Sequence, residues 1–166
     1  MSVTSSVTPA APERTRRLLR RWLRMWNGDL ATAGEIIAPE LRVHLPAVGM
    51  PPEERICDPR TMAEWIGLFR GSYSSGTFRC ELGPFAVGDF VIARFRFTGI
   101  WRGGRPVVAT TPPGTAVDFA GVDILRLEEG RVAEYWLTDD QLDLYDQLGA
   151  IREPIAATDH FGGRAR

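Results

Sequence analysis

Residues 115–149 read TAVDFAGVDILRLEEGRVAEYWLTDDQLDLYDQLG, and the fold turns on them. Apolar and polar residues alternate on both sides of Glu129-Gly130, the pattern of two half-buried strands at 115–127 and 131–138 joined by a tight turn. Beyond Thr138 the period becomes helical. A last helix runs from Asp139 or Asp140 to Leu148 and stops at Gly149, as a C-cap glycine requires. If Glu129 and Gly130 alone form the loop, Glu128 lies opposite Arg131, Leu127 opposite Val132, Leu125 opposite Glu134 and Asp123 opposite Trp136. Asp123, Leu125, Leu127, Val132, Glu134, Trp136 and Thr138 then share one face, and Val122, Ile124, Arg126, Ala133, Tyr135 and Leu137 the other. Two carboxylates beside a tryptophan are costly to bury unless hydrogen-bonded or functional, which makes Asp123 and Glu134 candidate acid/base groups. Both faces carry apolar residues, so alternation leaves open which one the helices cover. A solvated face whose acids pair with arginine is the alternative.

Upstream, strands are expected at 77–87 and 90–101 with a turn at Gly88-Asp89, followed by a long Gly/Pro loop at 102–114. A first helix starts near Glu13, its apolar positions Leu18, Leu19, Trp22, Leu23, Met25 and Trp26 interleaved with arginines. Asp29 is a plausible cap for a short second helix through Ile37. Leu41 to Leu45 form a short strand closed by Pro46, and Asp58-Pro59 opens a third helix that ends near Gly71. Helices first and a meander afterwards define an α+β domain over 13–151, between a flexible tail at 1–12 and a loose one at 152–166.

Composition narrows the function. With 166 residues the chain accommodates one full-sized domain, and 44% hydrophobic residues with 25% charged are those of an ordinary globular protein. A net charge of −1 lacks the basic surplus that nucleic acid demands. All 20 basic residues are arginine, so chemistry that needs an ε-amine is excluded. His44, His160, Cys57 and Cys80 show no metal-ligand spacing, and no apolar run is long enough for a leader or a membrane span. No metal, no cofactor, no membrane and a cytoplasmic location are the expectations.

Among residues that could carry chemistry, Asp139 and Asp140 stand where the last strand becomes the last helix. One suffices as a cap; the other is available as a general acid/base. His44, at the end of the first strand, alternates onto the same face as Arg42. Trp65, Phe69 and Tyr73 on the third helix, and Trp22 and Trp26 on the first, have core spacing, and several would also wall a pocket for a flat ligand.

The run VIARFRFTG at 91–99, the TPPG loop, the DILRLEEGRVAEYW hairpin, the DQLDLYDQLG helix and VHLP at 43–46 together resemble the SnoaL-like polyketide cyclases, or ester cyclases, of the nuclear-transport-factor-2-like and ketosteroid-isomerase-like superfamily. The resemblance spans roughly residues 14–151. It implies three N-terminal helices packed into the open side of a curved antiparallel sheet, a cone-shaped α+β barrel that usually dimerises. It also implies a cofactor-independent intramolecular aldol ring closure on an aromatic, polyketide-derived small molecule. The family's catalytic aspartate, four residues beyond the tryptophan of E-x-W, falls on Asp140, and the strand-end histidine on His44. Trp101 stands in Thr98-Gly99-Ile100-Trp101 where many relatives carry T-G-T-H. The site expected on these grounds is Asp140, His44, Glu134 and Asp123 as acid/base groups, with Trp136, Trp101, Trp65, Phe69, Tyr73 and Trp26 against the substrate. Epoxide opening by Asp123 with Glu134, and a non-catalytic binding or dimerisation module, are the competing functions. A homodimer is expected to cover the sheet face of Val122, Ile124, Tyr135 and Leu137.

Overall fold

The computed structural model describes residues 12–47 and 49–151, so the expected tails at 1–12 and 152–166 lie, Pro12 apart, outside the described residues. Helix α1 spans Glu13–Trp26, a 3₁₀ turn Leu30–Thr32, α2 Ala33–Ile36, β1 Ile37–His44, a second 3₁₀ turn Glu53–Arg55, and α3 Pro59–Arg70. Strands β2 (Tyr73–Val87), β3 (Phe90–Trp101), β4 (Ala116–Glu128) and β5 (Arg131–Asp139) follow, and α4 (Gln141–Gln147) ends the described chain. The second helix expected from Asp29 is thus a 3₁₀ turn and one helical turn, and Ile37 already begins β1. Among the described residues no helix is long and apolar enough to cross a membrane.

The sheet order is β1-β5-β4-β3-β2. Strands β2 to β5 are antiparallel neighbours, but β1 runs parallel to β5, so the sheet is mixed where an all-antiparallel one was expected. No tight turn joins β1 to β5, so hairpin geometry does not dictate its direction. Register shifts in β2 and between β4 and β5 interrupt the ladders, and such bulges bend a sheet toward one face. Onto that inner face the helices pack their apolar stripes. Helix α1 buries Leu18, Leu19, Trp22, Met25 and Trp26, while Arg16 and Arg20 reach Glu13, Arg21 reaches Glu35 and Arg24 reaches Asp29 on its outside. These pairs are exposed and screened by solvent, so burial of the apolar stripe is what holds the helix against the sheet. Helix α3 opens on a capping box: Thr61 N donates to Asp58 Oδ1 at 2.7 Å, and Asp58 N donates to Thr61 Oγ1 at 3.1 Å.

One residue decides what faces inward. The turn behaves as expected, with Glu129 and Gly130 at positive φ, Glu128 opposite Arg131 and Leu127 opposite Val132. Then Arg126 pairs with Glu134 and Leu125 with Tyr135, which leaves Ala133 as an extra, unpaired residue. This bulge shifts the register by one and exchanges the faces of β5. Asp123 and Leu125 therefore share the inner face with Ala133, Tyr135 and Leu137, all buried. Glu134, Trp136 and Thr138 point outward beside Val122, Ile124 and Arg126. The expectation that Asp123 and Glu134 share a face is corrected, and so is the expected outer face of Val122, Ile124, Tyr135 and Leu137: only its first two members lie outside.

Deletion of Ala133 removes the extra residue but keeps Leu127 opposite Val132 and Arg126 opposite Glu134, so Glu134 stays outward and Tyr135 stays inward. The variant should fold with stability lowered by about 1–3 kcal/mol through loss of the local bend and of one buried side chain. Ala133→Gly, which keeps the bulge, should cost about 1 kcal/mol. Thermal melts followed by circular dichroism give both values; a deletion variant that does not fold would contradict the assignment of Ala133 as the extra residue of the ladder.

Candidate active site

Between the helices and the inner sheet face lies a cavity of about 870 Å³, in the size range of small-molecule sites. Aromatic side chains from two helices and three strands wall it: Trp26 of α1, Trp65 and Phe69 of α3, Phe78 of β2, Phe95 of β3 and Phe119 of β4. The rings form one cluster of edge-to-face and tilted contacts, with Trp26 and Trp65 centroids 5.3 Å apart edge to face and Phe78 tilted against Phe97 behind the wall at 4.6 Å. Such a cluster holds a flat apolar wall with little freedom to move.

Two carboxyl groups line this apolar space, Asp123 from β4 and Asp139 from the end of β5. Asp123 is only 4% exposed. Tyr135 Oη donates to its Oδ1 at 2.8 Å, and Trp22 Nε1 donates to its Oδ2 at 2.9 Å. Both donors are themselves fully buried. Desolvation pushes the Asp123 carboxyl up to about 7; the two donors oppose this, and the nearby charge of Asp139 adds to it. Asp139 lies opposite Gly121 in the ladder, where a Cβ would come within 2.5 Å of the Phe95 ring, so the bare glycine lets ring and strand pack closely. Its Oδ1 is buried without a hydrogen-bond partner among the described residues. Burial first, and the charge of Asp140 second, push the Asp139 carboxyl up to about 6. An unsatisfied buried carboxylate oxygen beside a cavity is a group held ready to accept a proton. Tyr73 also lines the cavity, its hydroxyl without a hydrogen-bond partner among the described residues and its phenol pushed up chiefly by burial, so that it stays protonated.

Of the residues expected from sequence, Asp123, Trp26, Trp65, Phe69 and Tyr73 meet at this cavity. Asp140 does not: it is exposed at the N-cap position of α4, where its backbone N–H is bound by Ala120 O at 2.9 Å, and its neighbour Asp139 points inward instead. The bulge at Ala133 sets this parity, since 135, 137 and 139 all turn to the inner face. Glu134, Trp136 and His44 belong to the far side of the sheet. There Arg126 Nε donates to Glu134 Oε2 at 2.8 Å, His44 Nε2 lies 2.9 Å from Glu134 Oε1, and Arg42 stands 3.8 Å away. The His44 bond, then Arg126, hold the Glu134 carboxyl below its ordinary value. The His44 ring stacks on Trp136 with centroids 4.8 Å apart and planes 9° from parallel. Trp101 is buried beside the cavity without lining it, and its Nε1 donates to Arg105 O at 3.3 Å, pinning the loop that follows β3.

Sequence reasoning missed Tyr135 and Trp22 as the donors to Asp123, and it preferred Asp140 to Asp139. The adjacent apolar pair Val132-Ala133 was the available signal of a bulge, because strict alternation would place a polar residue at one of the two. For Trp22 no local signal exists, since its partner is 101 residues away.

A family model described as SnoaL-like domain matches residues 19–135. Among solved structures, TsrD from Streptomyces laurentii superposes with a TM-score of 0.70 at 24% identity, over 86% of this chain and 100% of that one. A candidate polyketide cyclase from Acidithiobacillus ferrooxidans gives 0.70 at 22% identity, over 90% and 98%. IdmH from Streptomyces antibioticus, another candidate polyketide cyclase, gives 0.68 at 23%, over 81% and 98%. These three share the fold. No curated protein sequence matches the chain.

The raised Asp123 carboxyl has a thermodynamic consequence. The folded state holds its proton to about pH 7 and the unfolded chain releases it near 3.8, so the associated stability is complete below about pH 4 and is lost as pH rises toward 7. The slope reaches at most about 1.4 kcal/mol per pH unit. Asp123→Asn removes that group, so its stability relative to wild type should improve steadily between pH 4 and 7 in denaturant titrations. A constant difference across that range would contradict the assignment.

Proposed function

Since the chain belongs to the SnoaL-like domain family, we propose that its cavity is the active site of a cofactor-independent cyclase or isomerase acting by proton transfer on an aromatic or polyketide-derived small molecule. The observation that carries the reading is the pair Asp123 and Asp139 in one apolar cavity, both raised toward neutrality and neither paired with arginine. A binding module that merely needs solubility would neutralise such acids, as the outer face does for Glu134 with Arg126. Asp139 is the base. Its partner-free Oδ1 gives the carboxylate a site for a proton, and an elevated pKa gives it the basicity to remove one from a carbon activated by a neighbouring carbonyl.

The electrons of the broken C–H bond form an enolate, whose oxygen needs donors. Protonated Asp123 supplies one: its oxygens are fixed by Tyr135 and Trp22, so its own proton is free to point into the cavity. Tyr73, whose phenol also lines the cavity, supplies a second donor. The enolate carbon attacks a second carbonyl of the same molecule, one C–C bond forms, and the resulting alkoxide takes the proton that Asp139 removed. The reaction is redox-neutral and balanced. Confinement among flat aromatic walls folds the chain so that its reacting carbons meet. Epoxide opening by Asp123 with Glu134 loses its support, because the two acids lie on opposite faces of the sheet.

The test uses an aryl β-keto ester in D₂O, with α-proton exchange above the buffer rate followed by NMR. Asp139→Asn should lower the enzyme-dependent rate about 100- to 10,000-fold, whereas Asp140→Asn should stay within about threefold of wild type. Equal losses in both variants, or none in Asp139→Asn, would overturn the reading. The rate should rise with pH through about 6 as Asp139 ionises and fall above about 7 as Asp123 loses its proton, the two limbs belonging to the coupled pair.

A further inference from the structure

The charges of the cavity are sorted along its depth. Asp123 and Asp139 are its inner charges, while the charged residues that both line it and are exposed mark its mouth: Arg55, Arg60 and Arg105, against Glu64. Arg60 is engaged, its Nη1 2.7 Å from Glu64 Oε1. Arg55 and Arg105 have no ionic partner among the described residues. Elsewhere the arginines that meet acids are matched to them closely, as Arg94 and Arg96 are to Glu81. Arg14, Arg17, Arg79 and Arg102 also lack ionic partners, but they do not line the cavity. What distinguishes Arg55 and Arg105 is that both are exposed and both line this one cavity, from two separate segments, 49–58 and 102–115.

That opening is otherwise apolar. Leu68 is 62% exposed, Val107 90% and Val108 64%, and all three line the cavity. Exposed aliphatic side chains next to unmatched guanidinium groups suit a ligand that is itself apolar with an anionic end. The inner acids reinforce one orientation, because an ionised Asp139 repels an anion that the arginines attract.

We propose that the cavity takes an amphipathic acid, an apolar or aromatic body that enters toward Asp139 while a carboxylate or similar anion is held at the mouth by Arg55 and Arg105. The proposal rests on the reading of the cavity as the substrate site and adds the substrate's class and its direction of entry. Orientation then selects which carbon meets Asp139, so the two arginines are specificity-determining residues and take no part in the proton transfer.

Two fluorescent probes with the same anilinonaphthalene body test this: 8-anilinonaphthalene-1-sulfonate, which is anionic, and N-phenyl-1-naphthylamine, which is neutral. At pH 7 and low ionic strength the wild-type protein should bind the sulfonate about tenfold more tightly. Arg55→Gln/Arg105→Gln should abolish that preference and leave the neutral probe's affinity unchanged. Arg17→Gln, the same kind of charge loss on α1 away from the cavity, should change neither. Equal affinity for the two probes in the wild type, parallel weakening of both in the double variant, an equal effect of Arg17→Gln, or failure of both probes to bind would each overturn the proposal. Equal affinity for the two probes in the wild type, with Asp139-dependent exchange intact, sinks only the anion site. Absence of exchange with the preference intact sinks only the catalytic reading.

Discussion

A carboxyl group with almost no access to water, bound on one oxygen by Tyr135 and on the other by Trp22, is the constraint around which this structure is arranged. Asp123 belongs to the middle of β4, Tyr135 to β5 and Trp22 to α1, so the two hydrogen bonds tie the first helix to the central strand and its neighbour. Apolar burial supplies most of the energy of that packing but is tolerant of small shifts. Two hydrogen bonds to a buried acid are not tolerant: losing either donor leaves a desolvated oxygen unmatched, at a cost of about 1–3 kcal/mol. The acid thus sets the helix's position on the sheet, and the cavity is the space left between that helix, α3 and the inner sheet face.

The same arrangement underlies the proposed chemistry. A carboxyl that stays protonated near neutral pH can donate a hydrogen bond where an ordinary aspartate cannot, and a second carboxyl in the same cavity with a slightly lower pKa remains the base. Desolvation is the leading cause of both shifts, so acid and base are products of one apolar enclosure. The contrast with Glu134 is instructive. It lies one residue before Tyr135, yet facing outward beside Arg126 and His44 it is held below its usual value and has the environment of a structural ion pair.

Much of the architecture was legible in the sequence. Glu129-Gly130 marked the last hairpin, Asp58-Pro59 the start of α3, Gly149 the end of α4, and the VHLP, DILRLEEGRVAEYW and closing-helix motifs the family. Asp123 was recognised as costly to bury, and four of the aromatic wall residues were named. The bulge was not. A single inserted residue has no strong local signature, yet it inverts every side chain after it, and this is why Glu134 and Trp136 were placed in the cavity and Tyr135 and Leu137 outside it. The parallel pairing of β1 with β5 is equally hidden, because it depends on contacts between segments far apart in the chain. Periodicity reads faces reliably only between irregularities, and Tyr135 and Asp139 lie just beyond one.

The claim that two cavity carboxyls share the work of acid and base is tested most directly by their own titration. With ¹³C-labelled aspartate side chains, NMR should show two carboxyl resonances titrating near pH 6 and 7, and Asp139→Asn should move the Asp123 midpoint downward by removing a neighbouring negative charge. Titration of both groups near the ordinary 3.8, or an Asp123 midpoint indifferent to Asp139, would contradict the account.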